Sequence, residues 1–186
     1  KLEAFQSTRV VVIGDVGLDA YVTGDVRRIS PEGPVPIVEV GQEEQRLGLS
    51  ANVAQNVASL GGQVDLISVV GQDEAADQIR DMLSKARVSS DHLIVDSSRP
   101  TTRNLRVMSG HHHIVRVDFE QKRFLSEEFE KRVLAQFAKV LTKANAVIVE
   151  DYAKGVVSRS LIQQVIEMTH AQGKKVFVDP HPSTPV

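Results

Sequence analysis

Val10-Val11-Val12-Ile13, a continuous apolar run that opens at Arg9 and ends in Gly14-Asp15, constrains this chain more than any other stretch. A run with no polar alternation belongs to a strand buried on both faces. The rest of the chain supplies the layers such a strand needs. Val64–Val70, Leu93–Val95, Ala146–Val149 and Val176–Val178 read as further short strands. Between them lie helical patterns at Gly48–Leu60, Asp73–Ala86, Ser126–Leu141 and Ser158–Ala171. Val53, Ala54, Val57, Ala58 and Leu60 share one face of the first helix, and Gly61-Gly62 ends it. Ile79, Leu83 and Ala86 point inward from the second. Ser126 and Ser158 stand where N-caps belong. Strands alternating with helices predict an α/β fold with a parallel sheet and helices on both faces.

Two segments break that rhythm. Tyr21–Arg28 and Val35–Val40 are β-prone but flanked by Pro31, Pro34 and Pro36, which places them at an edge. Thr101–Met108 and Ile114–Phe119 alternate around Ser109-Gly110-His111-His112-His113, the pattern of a hairpin with one exposed face. Together, at about 20–41 and 101–119, they predict a small antiparallel β lid beside the main sheet.

Composition narrows the function classes. Of 186 residues, 41% are hydrophobic and 25% charged, which suits a folded core rather than disorder. A net charge of −2 gives no electrostatic case for nucleic acid or a membrane as partner. Cysteine is absent, so disulfide and thiolate chemistry are excluded. No apolar run approaches the roughly 18 residues of a spanning helix. Lys1-Leu2-Glu3-Ala4 is not a signal peptide, and a cytoplasmic location is expected. A strand running directly into the Pro-rich end Asp179–Val186 reads as the first part of a longer protein.

In open α/β sheets ligands bind at the carboxyl ends of the strands. Asp15 and Asp19 stand there after strand one; carboxylates so placed can accept hydrogen bonds from vicinal sugar hydroxyls, or cap a turn. Gly48–Asn56 joins small residues to a helix N-terminus, where backbone approaches a ligand closely and Asn52 both donates and accepts; close helix–sheet packing uses the same residues. Glu150-Asp151-Tyr152-Ala153-Lys154-Gly155 crowds charge directly after an apolar strand, and Lys154 suits a phosphate, while a surface loop is the alternative. Arg103 and Arg106 lie three apart in an alternating strand and face opposite sides; one can clamp an anion. The three consecutive histidines splay apart and make a poor metal site. His181 follows Asp179-Pro180 near the same strand ends. No G-x-x-x-x-G-K-[ST] occurs, and no G-x-G-x-x-G follows strand one.

The motifs occur in a familiar order: Gly14-Asp15 with Leu18-Asp19, Arg28-Ile29-Ser30-Pro31-Glu32 with Pro34-Val35-Pro36, Ala51-Asn52-Val53-Ala54, Thr101-Thr102-Arg103 with Arg106, Arg116 with Asp118-Phe119-Glu120, Asp151-Tyr152-Ala153-Lys154-Gly155, and Asp179-Pro180. They resemble the kinase domain of bacterial heptose-phosphate kinases, within the ribokinase-like (PfkB-type) carbohydrate kinases. The resemblance spans nearly the whole chain, so residues 1–186 are expected to be the N-terminal portion of such a domain, its C-terminal part absent. It implies transfer of the ATP γ-phosphoryl, with Mg²⁺, to D-glycero-D-manno-heptose 7-phosphate for ADP-heptose and lipopolysaccharide synthesis. It implies sugar hydroxyls held by Asp15 and Asn52 and a homodimer formed through the lid; Asp19, Gly48, Arg106, Asp151 and Lys154 are expected at the substrate from their own placement. Two positions depart from the pattern: Leu49 replaces the second of two glycines, and His181 a lysine. The family's late Gly-Ala-Gly-Asp, which carries the catalytic base, does not occur here. No catalytic residue is therefore expected in these residues, and they are expected to be inactive alone. A ribokinase-like kinase for another sugar or a nucleoside, and a non-catalytic sugar-binding or dimerisation module, are the rivals.

Overall fold

Of the 186 residues, a computed structural model describes 5–184. The expectations about Lys1–Ala4 and about Pro185 and Val186 lie outside the described residues.

The central run forms β1 (Arg9–Gly14). It stands in the middle of a five-stranded parallel sheet, with β4 (Gln63–Val70) and β5 (Leu93–Val95) on one side and β8 (Ala146–Glu150) and β9 (Lys175–Asp179) on the other. Successive side chains of β1 point to opposite faces, and each face has its own core. Val11 and Ile13 join the cluster under α3 (Glu127–Leu141) and α4 (Arg159–Ala171), with Phe137, Leu141 and Leu161. Val10 and Val12 join the cluster under α1 (Ser50–Ser59) and α2 (Glu74–Lys85), with Leu66, Ile79 and Leu83. Burying each such side chain contributes about 1.5–3 kcal/mol before entropy is counted, which is why the uninterrupted run reads so clearly.

Helix ends follow local chemistry. Asp73 accepts the Ala76 N–H at 3.0 Å to cap α2, and Ser158 accepts the Leu161 N–H at 3.0 Å to cap α4. Ser126 precedes α3 but makes no capping bond; Glu127, Glu128 and Glu130 in its first turn favour that end electrostatically.

The lid is a four-stranded sheet in the order β3-β2-β6-β7, built from β2 (Val16–Ile29), β3 (Pro36–Leu49), β6 (Thr102–Ser109) and β7 (His112–Phe119). Its two outer pairs are antiparallel, while β2 and β6 run parallel at its centre. Two expected boundaries move. β2 begins at Val16 rather than Tyr21, so Asp19 sits within a strand instead of a loop. β3 continues to Leu49 rather than Val40, and α1 begins at Ser50, so Gly48 ends a strand rather than opening a helix. Residues 41–46 are polar and lack apolar alternation; pairing with β2 makes them a strand.

Leu49 turns the chain from strand to helix at φ 55°, a left-handed conformation that costs a leucine about 1–3 kcal/mol. Its side chain lies over Gly17, where an added Cβ would stand 3.0 Å from Leu49 Cδ1. Gly17 thus makes room for Leu49. Gly17→Ala is expected to destabilise by about 1–3 kcal/mol through overpacking. In a Leu49→Gly background most of that penalty should vanish, because the two sites share one space. Additive losses in a urea-unfolding double-mutant cycle would refute the coupling.

Candidate functional site

Register divides the lid into two unlike faces, because residues opposite one another on paired strands project to the same side. Asp19 faces Arg46 across β3 and Asn104 across β6; Tyr21 faces Glu44 and Arg106; Arg106 in turn faces Arg116. This face is polar. The alternate residues Ala20, Val22, Leu105, Val107, Val115, Val117 and Phe119 make the other face apolar, and the last three are exposed. Arg103 lies on that second face, with its guanidinium 4.1 Å from the Phe119 ring centre. The expectation that Arg103 and Arg106 diverge holds.

A groove of about 480 Å³ opens beside the polar face, lined by Asp19, Tyr21, Arg46, Leu47, Asn52 and Gln55 among others. Asp19 is its best-held group. Its Oδ1 accepts from Arg106 at 2.6 Å and from Asn104 at 3.2 Å. Burial works against the Arg106 charge, but the hydrogen bond and charge of Asp19 outweigh it and leave that guanidinium more basic than usual. Gly48 keeps the other carboxylate oxygen open: a Cβ there would come within 2.8 Å of Asp19 Oδ2. Asn52 stands exposed on the first turn of α1, whose N-terminus no side chain caps. The structure therefore brings Asp19, Gly48, Asn52 and Arg106 together. Tyr21, Arg46 and Asn104 join them unforeseen, although β-strand parity from Asp19 would have found Tyr21.

Asp15, Asp151 and Lys154 form a second cluster. Asp15 is 1% exposed and does not line the groove. Its Oδ2 accepts the backbone N–H groups of Tyr152 at 2.9 Å and Lys154 at 3.0 Å, and its Oδ1 that of Val156 at 2.9 Å. Burial pushes its pKa up, opposed by those three amides and reinforced by the Asp151 charge. Asp15, expected at a sugar hydroxyl, here holds the 152–156 loop with both carboxylate oxygens. Asp151 is spent likewise, accepting from the N–H groups of Ala153 at 2.8 Å and His181 at 3.3 Å. Lys154 Nζ lies 2.5 Å from Glu120 at the end of the lid hairpin, so its charge is already matched. Glu120, despite burial, is held below the usual carboxylate range by Lys154 and Lys122.

Arg99 closes this cluster from beneath. Buried at the start of the lid hairpin, it donates to the carbonyls of Arg123, Lys154 and Gln121, and burial lowers its pKa. Gly155 lets the two loops meet: φ is +100°, and a Cβ would strike Arg123 O at 2.1 Å. The imidazoles of the histidine run do not converge, since His111 sits in the turn while His112 and His113 alternate along β7.

Glu150 and Asp179 lie opposite each other at the strand ends. Burial first, then the Asp179 charge, raises the Glu150 pKa above the usual carboxylate range. A carboxyl with a raised folded pKa contributes stability that is full below its unfolded pKa and fades as pH rises through the folded value. Glu150→Gln should therefore gain on the unmodified protein between pH 4.5 and neutrality. Denaturant unfolding at several pH values checks this; a gap independent of pH would contradict it.

The profile of the pfkB family carbohydrate kinases matches residues 7–186. A protein of Bradyrhizobium sp. (strain ORS 278) called bifunctional protein HldE is 39% identical over 180 residues, covering 96% of this chain and 37% of its own length. The protein of that name from Shewanella sediminis is 44% identical over 179 residues, with 96% and 37% covered. The chain thus spans little more than a third of these curated relatives. Among solved structures, Arabidopsis thaliana ribokinase complexed with ribose and ATP superposes with a TM-score of 0.63 at 17% identity, covering 92% of this chain and 53% of that one. A ribokinase-type structure from Agrobacterium tumefaciens gives 0.65 at 21% identity, with 92% and 52% covered. The α/β sheet with its lid is shared with these ribokinase-like structures, and the chain belongs to the pfkB family of carbohydrate kinases.

Proposed function

We propose that these residues form the sugar-binding part of an ATP-dependent kinase that phosphorylates D-glycero-D-manno-heptose 7-phosphate to the 1,7-bisphosphate, for ADP-heptose and lipopolysaccharide synthesis. The observation that carries this is Asp19, a carboxylate fixed by Arg106 and Asn104 with one oxygen open beside Gly48 and Asn52. Sugar hydroxyls both donate and accept; Asp19 accepts their protons, and Asn52 serves either need. Arg106 holds the Asp19 carboxylate aimed at the groove, so little order is lost when a sugar docks. The name HldE on relatives about 40% identical supports the heptose.

Asp15, Asp151 and Arg99 position the loop that carries Lys154. Bound ATP supplies the phosphoryl group, and Mg²⁺ offsets its charge. Among the described residues no three His, Cys, Asp or Glu side chains are grouped to hold a metal ion, so no ligand for that cation is assigned to this chain. Phosphoryl transfer depends on positioning and charge stabilisation, and these residues contribute the first of the two.

The apolar lid face, with Val115, Val117 and Phe119 exposed, is the surface through which two copies pair. No helix among the described residues is long and apolar enough to cross a membrane; a cytoplasmic location accords with ATP and a sugar phosphate as substrates. Leu49, packed over Gly17 on the strand that carries Asp19, favours one rival, a kinase of the same fold with a different sugar.

The test is ATP-dependent phosphotransfer by the full-length protein, with heptose 7-phosphate beside ribose, fructose and adenosine. Turnover of the heptose phosphate alone is expected. Turnover of another substrate instead would move the specificity, and none with any would refute the kinase.

A further inference from the structure

Two guanidinium groups flank Tyr21 on the polar face of the lid, and they are in different states. Arg46 lies 5.1 Å and Arg106 5.2 Å from the ring centre. Arg106 is committed: its side chain is 18% exposed and bound to Asp19 at 2.6 Å. The Arg46 side chain is 60% exposed and lines the groove. Its partner is Glu44, itself 44% exposed, two residues away on the same strand.

The Arg46–Glu44 contact is a fork. Nε meets Oε1 at 2.8 Å, and an Nη meets Oε2 at 2.9 Å. A phosphate monoester accepts from a guanidinium through two oxygens in the same manner. The fork holds Glu44 below its usual carboxylate range, so the acceptor is fully charged near neutral pH. An ion pair open to water contributes little, so exchanging its carboxylate for a dianion costs little. Glu44 thus pre-orients Arg46 and competes with an incoming anion at once. The other two guanidinium groups of this face, Arg106 and Arg116, are each held by a carboxylate at 2.6 Å, Asp19 and Asp118, so neither clashes with the other and Arg46 has the most exposed side chain of the three.

We propose that Arg46 reads the phosphate ester of a phosphorylated sugar whose hydroxyls rest on Asp19 and Asn52, with Glu44 as the internal anion it displaces. This rests on the groove being the sugar site of the kinase proposed above. Arg106 then positions Asp19, and selection of a phosphorylated over an unphosphorylated sugar lies with Arg46.

The experiment measures binding of heptose 7-phosphate and of unphosphorylated heptose to the full-length protein by calorimetry, with turnover followed in parallel. Arg46→Ala should weaken the phosphorylated sugar by between about 10- and 100-fold, as loss of a charge-assisted pair does. The unphosphorylated sugar should stay within about twofold, since hydroxyl contacts are unchanged. Arg46→Lys should recover part of the loss, because an ammonium keeps the charge without the fork. Glu44→Gln should act in the opposite direction and tighten the phosphorylated sugar alone. Equal weakening of both sugars by Arg46→Ala, or no weakening of either, overturns the assignment. Binding of the phosphorylated sugar that depends on Arg46, without turnover, would sink the kinase and leave Arg46 in its role. Turnover with an equal effect on both sugars would do the reverse, and a protein that binds neither sugar overturns both.

Discussion

Asp15→Ala is expected to destabilise the protein by about 3–5 kcal/mol, the largest loss among single substitutions at the strand ends. Three buried amides, those of Tyr152, Lys154 and Val156, would lose their acceptor together. Each orphaned donor costs about 1–3 kcal/mol, and relief of the buried carboxylate's own desolvation offsets part of the sum. The 152–156 loop also leans on Arg99 and on the Asp151 carboxylate, so it should loosen locally before the sheet unfolds. Urea unfolding measures the loss, and amide exchange at residues 152, 154 and 156 shows where it falls. Asp15→Asn should lose less, because its remaining oxygen still accepts. A stability change under about 1 kcal/mol in the alanine variant would refute the anchoring role.

Asp19→Asn should do the opposite, sparing the fold and damaging the site. The amide oxygen still accepts from Arg106, and although that pair is partly buried its hydrogen bond survives, so the expected cost in stability is about 1–2 kcal/mol. Sugar hydroxyls, however, lose a charged acceptor, and the amide's donor faces them in its place. A rise in the sugar KM of about 10- to 100-fold is expected in the full-length protein, with the KM for ATP nearly unchanged. An unaltered sugar KM would remove Asp19 from the binding site. The two aspartates, four residues apart, are thus separable by one pair of measurements: unfolding for the first, KM for the second.

In the sequence the two look alike. Both follow the same apolar run, and both types of residue suit either a turn or a ligand. Their difference lies in partners 85 to 141 positions away: Asn104 and Arg106 for Asp19, the 152–156 backbone for Asp15. Lys154 shows the same limit. Its neighbours Asp151, Tyr152 and Gly155 mark a special loop, but nothing local says that Glu120 already matches its charge. Arg46 is not legible as a site residue in the sequence, because residues 41–46 carry no strand signal of their own.

What the sequence by itself determined is what depends on neighbours along the chain. Apolar periodicity settles which segments are buried strands and helices, Asp73 and Ser158 mark two helix starts, and β-α alternation implies the parallel sheet with β1 at its centre. Alternation also separated Arg103 from Arg106, since their spacing alone sets their faces. The tertiary structure alone decided which charges meet. Cross-strand register pairs Asp19 with Arg46 and Asn104, and a shift of one residue would send each side chain to the opposite face. Burial is a property of one segment and leaves its mark in that segment's composition. A hydrogen-bond partner is a property of two segments, and only the packed chain brings them together.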